Sequence, residues 1–187
     1  QDGREKALYT YLLNHPNLEV LRNNPSEILN EIDNWAVKGS HTMMTIGPDR
    51  SQPILEEIRS VRPKVMGELG GYIGYSAILF GNEVRSAGGS KYISFEYNPE
   101  YASIAKWIVE LAGLGGFVQI IVGKSADGLV QLAGDSKKVV FDILFIDHWE
   151  PAYLSDLRIC EDHGLVKRGS VVVADNAGNG EAGEYVR

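Results

Sequence analysis

The sequence predicts an α/β fold in which N-terminal helices precede a doubly wound, mostly parallel sheet. Two observations support this prediction. From residue 64 onward, short apolar runs alternate with helical patterns, as in parallel βαβ units with right-handed crossovers. Several of these runs end in an acidic residue, and an open α/β sheet binds its ligands at the carboxyl ends of its strands. We expect a single domain over 1–187, with a helical segment over 1–60 and an α/β core over 61–187.

The N-terminal segment is predicted to be helical from the spacing of its apolar residues. Leu8, Tyr11 and Leu12 recur at helical intervals before a breaker. Another helix is expected to begin at Pro25. A further one follows Gly47, because the next residue is a proline, which is favourable near the first position of a helix.

The core is predicted to contain strands that alternate with helices. The helices are expected near 75–85, 99–113, 125–133 and 152–163, and the strands at 64–69, 91–96, 117–122, 141–146 and 170–175. Folds of this type often continue with one or two further strands. We therefore expect that C-terminal strands of the fold are absent from this chain.

The composition argues against several classes of protein. The formal net charge of −7 is unlike that of a nucleic-acid binder, which usually carries a basic patch. No apolar run is as long as a membrane span. Cys160 is the single cysteine, so an intrachain disulfide cannot form, which fits a reducing compartment. We expect a cytoplasmic protein without nucleic-acid or membrane partners, and the oligomeric state stays open.

The first two acidic strand ends suit a nucleoside-containing cofactor. Gly70 and Gly74 follow Glu68 in a turn that permits close approach of a ligand to the backbone, but their spacing differs from the dinucleotide fingerprint. Glu96 ends the next strand, where a carboxylate can accept the hydroxyl protons of a ribose. Taken alone, a glycine-rich turn or an acidic residue at a strand end more often has a purely structural role. Together, in a βαβ pattern, they favour cofactor binding.

The later strand ends offer only oxygen donors. Asp147 follows one strand, and Asp175 with Asn176 follows the next. Two carboxylates and an amide suit Mg²⁺, which binds few protein ligands and keeps some waters. Without Asp147 in the same crevice, the Asp-Asn pair would be interpreted as a turn or helix cap. The histidines and Cys160 show no zinc-ligand spacing.

These motifs also carry a resemblance. Residues 68–76 and 93–99 resemble the cofactor motifs of class I S-adenosylmethionine-dependent methyltransferases, whose sheet is Rossmann-like. Residues 145–149 and 173–176 resemble the catechol O-methyltransferase family, and the likeness runs from about residue 4 to the end of the sequence. The resemblance implies transfer of a methyl group from S-adenosylmethionine to a catechol-like small molecule, with Mg²⁺ as the metal.

The resemblance also implies a role for each matching residue. Asp147, Asp175 and Asn176 would bind the metal. Glu96 would hold the ribose, and His148 with Trp149 would flank the adenine. For Met44 and Ile46, plain core packing is an equally favoured interpretation. The implied cofactor-binding set is Met44, Ile46, Glu68, Gly70, Tyr72, Gly74, Ser76, Glu96, Tyr97, Ser125, Asp147, His148 and Trp149.

The candidate catalytic position departs from the family pattern. After the Asp-His-Trp motif the family has a lysine that acts as base, whereas this chain has Glu150. A carboxylate there can accept a proton but cannot supply positive charge to a phenolate. We expect altered or reduced activity unless Lys124 or another base substitutes.

Other functions remain open at this point. The acceptor could be another hydroxyl, such as that of a nucleoside in RNA or of an acyl-thioester phenol, although the acidic charge disfavours RNA. A non-catalytic S-adenosylmethionine-binding homologue is a further alternative. A nicotinamide-dependent oxidoreductase is disfavoured by the glycine spacing and by the oxygen-donor set.

Overall fold

The computed structural model describes residues 3–136 and 138–177. Within them, parallel strands form one sheet in the order β3-β2-β1-β4-β5. The order reverses beside β1, as in a doubly wound, Rossmann-like sheet. The strands are β1 Val65–Leu69, β2 Lys91–Glu96, β3 Val118–Val122, β4 Ile143–Ile146 and β5 Val171–Ala174. The α/β prediction is therefore confirmed, with each strand within a residue or two of its predicted position. The expected absence of further strands concerns chain outside the described residues and stays a prediction.

Helices precede the sheet and connect its strands. In the N-terminal segment they are α1 Arg4–Leu13, α2 Leu18–Leu21, α3 Pro25–Lys38 and α4 Gly47–Val61. In the core they are α5 Tyr75–Ser86, α6 Pro99–Leu111, α7 Ser125–Gly134 and α8 Tyr153–Asp162, with a 3₁₀ turn at Glu150–Ala152. None of the helices within the described ranges is long and apolar enough to cross a membrane.

Two buried apolar clusters hold the helices against the sheet. One joins α1, α3 and α4 with α5 and α6, and includes Leu8, Ile28 and Phe80. Phe80 meets Phe145 of β4 edge to face, with ring centroids 5.6 Å apart. The other cluster covers the opposite face with α7 and α8. Because each side chain of this size contributes about 1.5–3 kcal/mol on burial, the N-terminal helices are firmly attached to the sheet.

The strand register aligns the carboxyl ends of the inner strands. Leu69 of β1 pairs with Phe95 of β2 on one side and with Ile146 of β4 on the other, and Ile146 pairs with Ala174 of β5. The residue that follows each of these is Gly70, Glu96, Asp147 or Asp175. The acidic strand ends therefore stand at one level along the same edge of the sheet.

Candidate functional site

A cavity of about 1030 Å³ opens at the carboxyl ends of the strands. Its size is suited to a cofactor together with a small acceptor. Of the site residues predicted from the sequence, Glu68 and Gly74 do not line it. Those that do are Met44, Ile46, Gly70, Tyr72, Ser76, Glu96, Tyr97, Ser125, Asp147, His148, Trp149, Glu150, Asp175 and Asn176.

The turn after β1 depends on glycine for its shape. Gly70 has a φ of +98°, and a Cβ there would lie 2.3 Å from the carbonyl oxygen of Asp147. The amides of Gly70 and Gly71 both donate to the carbonyl oxygen of Phe95, at 2.9 and 3.0 Å. Gly74 immediately precedes α5 with a φ of +89°, and a Cβ there would lie 3.1 Å from Cα of Ala105. The turn thus brings β1, β2 and β4 into close backbone contact.

Glu96 is fixed by backbone amides at the end of β2. Its Oε2 accepts from the amide of Tyr72 at 2.6 Å, and its Oε1 accepts from the amide of Asn98 at 2.7 Å. Burial raises the pKa of this carboxyl, while the amides of Asn98, Tyr72 and Gly71 oppose the rise. Each carboxylate oxygen retains further lone pairs, which is what hydroxyl recognition requires.

Glu68 lies under the cavity rather than in it. Its side chain is 0% exposed, and neither oxygen has a hydrogen bond of ordinary geometry among the described residues. Burial raises its pKa to about 7, although the nearby hydroxyls of Ser76, Ser94 and Tyr92 oppose the rise. A buried carboxyl with such a pKa can hold a proton. In its ionised form it can instead accept a hydrogen bond from a positively charged group in the cavity.

Two tyrosines attach the N-terminal helices to the turn after β1 and to the first residue of α5. The hydroxyl of Tyr72 donates to Glu5 of α1 at 2.6 Å. The hydroxyl of Tyr75 donates to Asp33 of α3 at 2.9 Å. Tyr72 itself has a φ of +45°, which is uncommon for a non-glycine residue. Nothing in the local sequence around Glu5 and Asp33 points to partners so distant along the chain, so neither role was predictable.

A buried carboxylate organises the side chains at the predicted adenine end. Asp156 of α8 is 3% exposed. Its Oδ2 accepts from the hydroxyl of Ser125 at 2.5 Å and lies 3.0 Å from Nε2 of His148. Tyr153 stacks on the His148 ring at 5.1 Å. Burial raises the pKa of Asp156, but the bonds from His148 and Ser125 outweigh it and leave the pKa below its usual value.

This network fixes the orientation of His148. Because a carboxylate can only accept, Nε2 carries the proton that the pair shares. Nδ1 is buried and has no hydrogen-bond partner among the described residues. Asp156 was missed by the sequence analysis, since it follows His148 by eight residues and belongs to no motif.

The oxygen donors predicted for the metal lie together at the ends of β4 and β5. Burial and the charge of Asp175 raise the pKa of Asp147 to about 8. Nδ2 of Asn176 donates to Oδ2 of Asp175 at 2.9 Å. No cluster of three or more His, Cys, Asp or Glu side chains within the described ranges suits a metal ion. The predicted set contains only two such side chains, Asp147 and Asp175, and its third member is the amide of Asn176. A hard divalent cation would relieve the repulsion between the carboxylates.

A cation from α4 also reaches this group. Arg50 donates from its Nη1 to Oδ2 of Asp175 at 2.5 Å. Its Nε donates to the carbonyl oxygen of Ile46, and its Nη2 to that of Thr45. Arg50 is not among the predicted site residues, because a lone arginine in a helix is usually a surface residue.

The mouth of the cavity exposes large apolar side chains. Met44, Tyr97 and Trp149 are 67%, 70% and 71% exposed, although all three line the cavity. Ile46 differs, since it is 4% exposed and belongs to the core cluster of the N-terminal helices. Core packing thus accounts for Ile46 but not for Met44.

Glu150 and Lys124 both line the cavity. Glu150 begins the 3₁₀ turn that follows Trp149, and Lys124 precedes the first turn of α7. The predicted position of the base is thus occupied by a carboxylate, and a lysine lies elsewhere on the cavity wall.

Comparisons with known proteins show several that are similar to this chain in sequence. A family model described as O-methyltransferase matches residues 20–182. The catechol O-methyltransferase of Bos taurus is 32% identical over 188 residues, covering 99% of this chain and 66% of that protein. The catechol O-methyltransferase of Mus musculus is 33% identical over 165 residues, covering 88% of this chain and 61% of that protein. The chain thus spans less than two thirds of the length of these curated relatives.

A solved structure extends the comparison to the fold. The O-methyltransferase TomG of Streptomyces achromogenes, involved in tomaymycin synthesis and solved in complex with SAM, matches with a TM-score of 0.71. The sequence identity is 22%, over 83% of this chain and 68% of that one. At this identity the likeness concerns the fold.

Proposed function

This chain belongs to the O-methyltransferase family, and we propose that it transfers the methyl group of S-adenosylmethionine to a hydroxyl of a catechol-like small molecule with the help of Mg²⁺. One observation carries this proposal. Glu96 lines the same cavity as the strand-end oxygens of Asp147, Asp175 and Asn176. A carboxylate suited to ribose hydroxyls and a set of oxygen donors suited to a hard metal ion line one crevice. This combination suits metal-assisted group transfer from a nucleoside-containing cofactor.

The cofactor would lie along the ends of β1, β2 and β4. In this proposal Glu96 holds the ribose hydroxyls, and the glycine turn lets the cofactor approach the backbone at Gly70. His148 and Ser125, oriented by Asp156, define the adenine end. S-adenosylmethionine supplies an electrophilic methyl group on a sulfonium. The chain's own contribution is to hold that methyl group at a fixed distance from the acceptor oxygen.

The metal would be held by Asp147, Asp175 and Asn176. Their fit is supported by the chemistry of the donors and by the raised pKa of Asp147, which reflects two carboxylates near each other. When bound, Mg²⁺ lowers the pKa of a coordinated hydroxyl and fixes its orientation. The Bos taurus and Mus musculus relatives are catechol O-methyltransferases, which supports an acceptor with two adjacent hydroxyls.

The reaction forms a bond between the acceptor oxygen and the methyl carbon and breaks the bond from that carbon to sulfur, which keeps the electron pair. The proton of the hydroxyl must pass to a base. In this proposal Glu150 accepts it, and Lys124 is the alternative base on the cavity wall. A carboxylate base supplies no positive charge, so we expect slower transfer than with a lysine at this position.

The proposal is tested by a transfer assay with labelled S-adenosylmethionine and a catechol, with Mg²⁺ or with a chelator. We expect labelled product with Mg²⁺ and a loss of at least about tenfold with chelator. Transfer that persists unchanged in chelator would contradict the role of the metal. Tight cofactor binding without transfer to catechol in either condition would favour the non-catalytic alternative.

A second arm of the assay compares the parent with Glu150→Lys. We expect the variant to methylate faster, because a general base with suitable charge contributes on the order of tenfold or more. A variant no faster than the parent would show that Glu150 does not limit the reaction. In separate calorimetric titrations with S-adenosylmethionine and with NAD, binding of NAD but not of S-adenosylmethionine would overturn the proposed cofactor.

A further inference from the structure

Arg50 contacts an oxygen that the proposed function gives to the metal. Its Nη1 donates to Oδ2 of Asp175 at 2.5 Å. The same oxygen accepts from Nδ2 of Asn176 at 2.9 Å. Two donors therefore converge on one carboxylate oxygen, and one of them is a full positive charge that comes from α4 rather than from the sheet.

The guanidinium is held in this position by the backbone of the preceding turn. Its Nε donates to the carbonyl oxygen of Ile46 at 3.0 Å, and its Nη2 donates to that of Thr45 at 3.1 Å. All three nitrogens are thus used, and a planar guanidinium loses little freedom per bond once it is anchored. The Asp175 side chain is 11% exposed, so water competes weakly for its oxygen. The Arg50 side chain is 49% exposed, which leaves it a solvent side.

We propose that Arg50 is a positioning residue that competes with the divalent cation for Asp175 and thereby sets the metal affinity of the site. This inference rests on the proposed function, because it takes Asp175 as a metal ligand. In this proposal the cation takes Oδ2 of Asp175, and its positive charge repels the guanidinium bonded to that oxygen. Nη1 of Arg50 would then release Oδ2 and turn toward its exposed side.

The same contact gives Arg50 a second consequence. With no competing cation on the carboxylates, the guanidinium offsets the repulsion between Asp147 and Asp175 and keeps them near each other. Arg50 thus lowers the affinity for the metal while preserving the arrangement of its ligands. A neutral residue of similar size would remove the competition with the cation for Asp175. It would also remove the positive charge that offsets the repulsion between Asp147 and Asp175.

The test is a Mn²⁺ titration of the full chain, with the free ion measured by electron paramagnetic resonance. We expect Arg50→Gln to lower the Kd for Mn²⁺ by roughly three- to tenfold, the equivalent of about 0.7–1.4 kcal/mol of lost competition. Arg50→Lys keeps the charge without the three-way anchoring and should fall between the parent and Arg50→Gln. It also carries the test should Arg50→Gln not fold.

The matched control is Arg59→Gln. Arg59 lies on the same helix and pairs with Glu83 at 2.8 Å on the surface, away from the strand ends. We expect its Kd for Mn²⁺ to equal that of the parent. A thermal melt provides a readout independent of the Kd. In chelator, Arg50→Gln should melt below the parent, and Mn²⁺ should raise its Tm by more than it raises that of the parent.

The outcomes separate this inference from the function on which it rests. Tighter Mn²⁺ binding by Arg50→Gln but not by Arg59→Gln would support both. Equal or weaker binding by Arg50→Gln, with clear binding by the parent, would overturn the competition and leave the metal site standing. Absence of Mn²⁺ binding by the parent and every variant would overturn the metal assignment and the inference with it.

Discussion

The two ends of the cavity are built by different kinds of contact. At the proposed cofactor end, Glu96 and the glycine turn are held by peptide groups, through amides of Tyr72 and Asn98 and through the carbonyl of Phe95. At the proposed metal end, the carboxylate of Asp175 is held by side chains, those of Arg50 and Asn176. The first set of contacts belongs to the backbone of the sheet edge. The second joins side chains at the ends of the strands and on α4.

This difference fits the proposed role of each end. A preorganised backbone favours cofactor binding, because the protein loses less ordering entropy. A site for a metal ion and an acceptor molecule needs charged side chains that can change partners when the ion or the acceptor binds and leaves. The comparison predicts that substitutions in the glycine turn damage the fold, while those in side-chain networks, at the proposed metal end and around Asp156, change ligand, ion or proton binding.

The largest effect is expected from Gly70→Ala. An alanine there would have to adopt a φ of +98° with its Cβ 2.3 Å from the carbonyl oxygen of Asp147. We expect a loss of about 3 kcal/mol or more in the free energy of unfolding, since strain and a backbone clash add. Chemical denaturation measures it, with Gly116→Ala as control, because a Cβ at Gly116 meets nothing within 4 Å. Equal stability of the two variants would contradict the rigidity inferred for the turn after β1.

An intermediate effect is expected from the protonation of Asp147. Its pKa is about 8 in the folded protein against an ordinary value of 3.8. Over that interval the folded state binds more protons than the unfolded chain, so the free energy of unfolding falls as pH rises from about 5 to about 8. In chelator, we expect Asp147→Asn to flatten this decline by about 1–3 kcal/mol. Glu68, whose pKa is about 7, should maintain part of the slope.

Denaturation curves at several pH values measure this effect. Saturating Mg²⁺ should also flatten the decline for the parent, since the ion binds the ionised carboxylates of the folded state. A parent whose stability rises between pH 5 and 8 in chelator would contradict the proximity of the two carboxylates.

The smallest effect is expected from Asp156→Asn. The amide retains the shape but not the charge that organises Ser125 and His148. We expect the Kd for S-adenosylmethionine to rise by roughly tenfold, because hydrogen bonds to a charged group are worth about 1.5–3 kcal/mol. Calorimetry measures it. Mn²⁺ affinity should not change if the two ends are independent.

The control for this variant is Asp127→Asn. Asp127 is an exposed acid in the first turn of α7, and it carries the same charge change. We expect its affinity for the cofactor to match that of the parent. A change as large as that of Asp156→Asn would mean that net charge, rather than the position of the carboxylate, controls binding.

The sequence predicted the elements of the sheet more fully than the contacts within the cavity. The strands ending at Leu69, Glu96, Ile146 and Ala174 were predicted to within a residue or two, because apolar runs and breakers are local signals. Parallel pairing then brings the following residues to one edge. The convergence of acids therefore follows from the pattern alone.

The pairing of side chains from separate elements was not predictable in this way. Glu5 reaches Tyr72 across 67 positions, and Asp33 reaches Tyr75 across 42. Each pair depends on how a helix lies on the sheet, which the spacing of apolar residues does not specify. The sequence likewise could not distinguish Met44 from Ile46, whose burial differs although both are apolar.

By itself, then, the sequence determined the order of strands and helices and the acids at the strand ends, because these follow from local periodicity and the geometry of parallel strands. Only the tertiary structure decided which charges meet there. Arg50 and Asp175 are 125 positions apart, and Asp156 and Ser125 are 31 apart. Such contacts depend on packing distances of a few ångströms, to which no local pattern is sensitive.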